Sequence, residues 1–134
     1  MKRIATSLVV FVIVFHVAAF ALEALLWMQP GVHEPVLRRL SISTLEVHDQ
    51  ALLLRAFFVN QGFYNLFLAC AGVTGLVLVN REQRSAGYAL IAYMCLTAFG
   101  AGVVLAMSTR AYVGAFLQAV PAACALLSMG RIRR

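Results

Sequence analysis

Charge is scarce in this sequence. Asp and Glu together number five, charged residues make up 12% of the 134, and 63% are hydrophobic. A water-soluble domain of this length must clothe its core in polar side chains, and too few are present to do so. A soluble enzyme and a nucleic-acid-binding module are thereby excluded. The net charge of +6 does not reverse this, because the basic residues gather at chain ends and in loops. No basic stripe interleaved with aromatics is present. CxxC spacing is also missing. Cys70, Cys95 and Cys124 each lie inside an apolar run and read as small hydrophobes, not as a disulfide or metal framework. His48-Asp49 is too little for a metal site, and no cofactor is expected.

What is present is four long apolar runs. A run of about 18 or more apolar residues reads as a spanning helix, since a helix rises about 1.5 Å per residue and hydrocarbon is about 30 Å thick. The pattern predicts spans at about residues 4–28, 52–79, 86–107 and 112–129. The expected fold is therefore all-α, an integral membrane four-helix bundle forming one domain. The first run opens like a signal peptide, with Lys2, Arg3, an apolar stretch and Ala19-Phe20-Ala21. It continues, however, through Leu25-Leu26-Trp27-Met28 and stops at Gln29-Pro30-Gly31, so it reads as a retained span. The polar stretch at about 29–51 is the one segment able to form structure outside the membrane, with a helical turn or two at 35–40.

Lys and Arg orient the bundle. One side carries Lys2, Arg3, Arg81, Arg84, Arg131, Arg133 and Arg134, and the other Arg38, Arg39, Arg55 and Arg110. The positive-inside rule then places both termini in the cytoplasm and the long first loop outside. Small residues at four-residue spacing, Ala98/Gly102/Ala106 and Ala111/Ala115/Ala119/Ala123, predict a tight hairpin of the last two spans. Pro121 removes one backbone hydrogen bond within the last span and predicts a kink.

Polar side chains inside hydrocarbon are costly and need a reason. His16 and Glu23 are seven residues apart in the first span, two helical turns along one face, and Trp27 extends that face. At a span end Trp27 also reads as an interfacial anchor. The second span carries Asn60, Gln61, Tyr64 and Asn65, whose i,i+4 pairs read as one wide polar face. The last span carries Gln118. Counted from the span ends, most of these residues fall in the outer half, which predicts a polar pocket opening outward or sideways. Packing alone is the competing reading, since Asn and Gln in membrane bundles often only bond across helices.

These residues carry a resemblance. His16, Glu23 and Trp27, the run Asn60-Gln61-Gly62-Phe63-Tyr64-Asn65 followed by Phe67-Leu68-Ala69, and Gln118-Ala119-Val120-Pro121-Ala122 resemble a bacterial membrane family. It is catalogued as domain of unknown function thirteen-oh-four. The resemblance covers nearly the whole chain and implies its four-helix membrane fold. It supplies no activity. This chain departs from the family pattern at Phe15, where the family often has glutamate, at Leu66 and Ala119, where it has glycine, and in a longer first loop.

The expected function is a small multi-pass protein of the bacterial inner membrane that binds or transforms a small lipophilic molecule. Glu23 and His16 are the expected catalytic pair, as general acid and partner. Trp27, Asn60, Gln61, Tyr64, Asn65 and Gln118 are the expected ligand-binding residues. Whether the protein is an enzyme stays open. Two alternatives are a proton-coupled small transporter using Glu23, and a structural or accessory membrane subunit. The expected partners are membrane lipid, the lipophilic molecule and further copies of the chain.

Overall fold

The computed structural model describes residues 3–40 and 44–130. Lys2, Arg131, Arg133 and Arg134, which weigh in the orientation argument, lie outside the described residues. The described chain is all helix and turn: α1 (Arg3–Phe20), a π-helical turn (Ala21–Leu25), α2 (Pro30–Leu40), α3 (Val47–Asn80), α4 (Arg84–Thr109) and α5 (Tyr112–Gly130). Four segments are long and apolar enough to cross a membrane: Arg3–Leu25, Val47–Asn80, Arg84–Thr109 and Tyr112–Met129.

The structure departs from the expected boundaries in the first loop. A full helix, α2, occupies much of what reads as polar loop. Pro30 stands at its first position, where a missing N–H costs nothing. Arg38 and Arg39 lie in its last turn, favourably placed against the helix dipole, and the Arg38 guanidinium meets Glu34 at 3.1 Å. The helix of the second span, α3, also begins five residues earlier than its apolar run, at Val47 rather than residue 52. His48, Asp49 and Gln50 are polar, so hydropathy leaves them in the loop. Helix formation depends on other terms: Asp49 suits a first turn, and Gln50 Nε2 donates back to the Leu45 carbonyl at 2.7 Å. The resulting α3 has 34 residues, about 51 Å, against about 30 Å of hydrocarbon. Pro121 lies inside α5, which continues as helix on both sides of it.

The chain divides into two compact units, each taken by itself. The first comprises the described residues 3–16 and 68–130. Its core joins Val9, Val12 and Ile13 to Ala69, Ile91, Met94, Cys95, Ala98, Ala122, Ala125 and Met129. Here α4 packs on α5. The approach is close at Gly102, where an added Cβ would lie 2.8 Å from the Ala119 Cβ and 3.0 Å from the Ala115 carbonyl oxygen. The small-residue rows predicted to form the hairpin do meet at these positions.

The second unit comprises residues 17–67. Its core is Trp27, Leu37 and Ala51, with Met28, Val32, Val47, Leu54 and Phe58 packed around them.

Candidate functional site

Glu23 sits on the π-helical turn. Leu26 N–H donates to the Ala21 carbonyl at 2.9 Å, a bond across five residues rather than four. Such wide turns are rare and are frequent at functional sites. No composition cue in Ala21–Leu25 announces it.

Across from this turn runs α3, and Gly62 sets the distance between them. A Cβ on Gly62 would lie 2.9 Å from both the Cβ and the backbone nitrogen of Ala24, and 3.3 Å from the Glu23 Cβ. Only a residue without a side chain lets α3 lie that close. The short amide of Asn65 then reaches Glu23, its Nδ2 donating to Oε2 at 2.8 Å. The same Nδ2 also donates to the Gln61 carbonyl one turn back, at 3.3 Å. Asn65 is 8% exposed and Glu23 is half-buried. Among the described residues the carboxyl has no ion-pair partner, and its Oε1 makes no hydrogen bond.

The structure divides the polar row of α3. At about 100° per residue, Asn65 lies about 60° around the helix from Gly62, whereas Asn60 and Tyr64 lie about 160° from it and Gln61 about 100°. Asn65 is accordingly buried, and Asn60, Gln61 and Tyr64 are exposed. The row is therefore not one wide face: one amide meets the acid, and the rest of the row points away.

Trp27 is not an exposed anchor. It is 2% exposed. Its indole N–H donates to the Ala51 carbonyl at 2.9 Å, and its ring stacks on Phe58 with centroids 3.5 Å apart and planes 12° apart. An indole with a partner for its N–H and an aromatic face beneath it has no need of the membrane interface. The Trp27 carbonyl in turn accepts from Nδ1 of His33, at 3.0 Å, and His33 is buried. Ala51, Phe58 and Asn65 recur every seven residues, so one side of α3 holds both Trp27 and Glu23. His33, Phe58 and Gly62 were not among the expected site residues. Phe58 and Gly62 share the Asn65 side of α3, a signal available from spacing; nothing in the sequence marks His33 as buried.

His16 and Gln118 belong to the first unit. His16 is fully buried, and its Nδ1–H donates to the Val12 carbonyl at 2.8 Å, since a carbonyl can only accept. Its Nε2 has no partner among the described residues. Gln118 is half-buried on α5. No group of three or more metal-ligating side chains is assembled among the described residues.

The family model for the protein of unknown function DUF1304 matches residues 10–129. The chain belongs to the DUF1304 family. No curated protein and no solved structure matches it. The matched stretch of this DUF1304 chain contains the π-helical turn, Gly62, Asn65 and Trp27 with its partners. The family assignment thus extends over the whole candidate site and leaves its activity to be argued from the residues.

Proposed function

We propose that this DUF1304 protein is a multi-pass inner-membrane protein, both termini cytoplasmic, that receives the polar head of a small lipophilic molecule at Glu23. The observation that carries the reading is the state of that carboxyl. Asn65 fixes one oxygen at 2.8 Å, and among the described residues no basic side chain neutralises the group. An acid held in place within an apolar span, with one oxygen uncommitted, suits gripping a head group or exchanging a proton with it. The apolar flanks of the helices accommodate the rest of such a molecule.

Native mass spectrometry of gently purified protein, wild type beside Glu23→Gln, tests the reading. A small molecule retained by the wild type and lost from the variant is expected. Identical spectra, with no adduct beyond bulk phospholipid, would return the chain to a structural or accessory role. A proton-coupled transporter is the second reading, favoured by the same absence of a counter-charge. It requires in addition that proteoliposomes exchange protons for substrate through Glu23.

A further inference from the structure

We propose that the head group taken at Glu23 is a primary ammonium, so that the ligand is an amphiphilic amine. This rests on the binding reading above and narrows it. Donors and acceptors at the site decide the head group. An Asn amide has two N–H groups and one carbonyl oxygen. Both N–H directions of Asn65 are committed, at 2.8 Å to Glu23 Oε2 and at 3.3 Å to the Gln61 carbonyl. The Gln61 carbonyl can only accept, which fixes the amide with its nitrogen toward the acid. What remains is Oε1 of Glu23 and Oδ1 of Asn65. Neither has a hydrogen-bond partner among the described residues, and neither is completely enclosed. With the carboxyl ionised, the site offers acceptors alone.

Charge points the same way. Among the described residues the Arg38–Glu34 contact is the one ion pair, so none of them supplies a countercharge for Glu23. An ammonium supplies that charge and three N–H donors at once. Phosphate, sulfate and carboxylate heads are repelled. A trimethylammonium has the charge but no N–H, and an alcohol has one O–H and no charge. A hard metal ion asks for about six oxygens, where two are offered.

The test compares three probes of equal chain length, decylamine, decyltrimethylammonium and decanol, against the full-length protein in lipid nanodiscs. Empty nanodiscs of the same lipid correct for partitioning. The expected result is decylamine binding about tenfold tighter than either of the others, the preference vanishing in Glu23→Gln. Because the ranking is read on the wild type, it stands even where the variant folds poorly. Equal affinity for all three probes, reduced together by Glu23→Gln, would overturn the amine assignment and leave the binding reading intact. Decyltrimethylammonium matching decylamine would overturn the need for N–H donors. Displacement of decylamine by millimolar sodium chloride but not by choline chloride would reassign the site to a metal cation. No probe exceeding empty nanodiscs would remove both readings.

Discussion

Gly62 lies so close to Ala24 that a methyl group on it would stand 2.9 Å from both the Ala24 Cβ and its backbone nitrogen. That contact decides what the acid can touch, because Asn65 reaches Glu23 only from a helix seated against the turn. Gly62→Ala should therefore act on the site as well as on packing. A loss of about 1–3 kcal/mol is expected, the usual cost of inserting a methyl group into a filled contact. Thermal unfolding of the purified variant measures it, and an unchanged midpoint would mean that the two backbones are not in contact.

Gly100 and Gly102 form an internal control on α4. A Cβ at Gly100 meets nothing within 4 Å, whereas at Gly102 it would press on Ala119. Gly100→Ala should be neutral or stabilise by up to about 1 kcal/mol through helix propensity. Gly102→Ala should cost about 1–3 kcal/mol. The difference between the two, read in one denaturation series, tests the α4–α5 contact without reference to function.

Trp27 is the sole tryptophan, so its fluorescence reports on one place. Buried against Phe58, it should emit at short wavelength and resist quenching by aqueous iodide. Trp27→Phe keeps an aromatic ring on Phe58 but loses the indole bond to the Ala51 carbonyl, at a cost of about 1 kcal/mol. Trp27→Ala should cost about 3–5 kcal/mol. Long-wavelength, freely quenched emission would contradict the burial.

Glu23 and Asn65 should be coupled. Glu23→Gln retains an oxygen to accept from Asn65 and should change stability little. Asn65→Leu removes the donor. A double-mutant cycle of Glu23→Ala with Asn65→Leu is expected to give a coupling of about 0.5–2 kcal/mol, the range of interhelical bonds in membrane proteins. A coupling of zero would separate the two residues.

Much of the fold is legible in the sequence because lipid permits few solutions. A long apolar run in a bilayer must satisfy its own backbone, so runs map onto helices. The start of α3 and the whole of α2 escape that logic: outside hydrocarbon, helix boundaries follow caps, charges and Pro30 rather than hydropathy. Glu23 is legible as an anomaly. Its partner is not, because Asn60, Gln61 and Asn65 look equivalent until the contact side of α3 is known. Gly62 defines that side; its spacing to Phe58 and Asn65 is readable in the sequence, but its close approach to Ala24 is seen only with the second backbone in place. The wide turn beneath Glu23 and the burial of His33 arise from packing alone.

Orientation rests on the seven-to-four distribution of Lys and Arg. Reporter fusions after residue 134 should behave as cytoplasmic, and a fusion within residues 29–51 should behave as exported. The reverse pattern would turn the site toward the cytoplasm.

A lipophilic carbodiimide, which enters the membrane and reacts with carboxyls there, reports whether the Glu23 carboxyl is held but open. Peptide mapping of folded protein treated in nanodiscs should find the adduct on Glu23, with Glu34, Glu46, Asp49 and Glu82 largely spared. A Glu23 that stays unmodified in the folded protein yet reacts after unfolding would contradict the account.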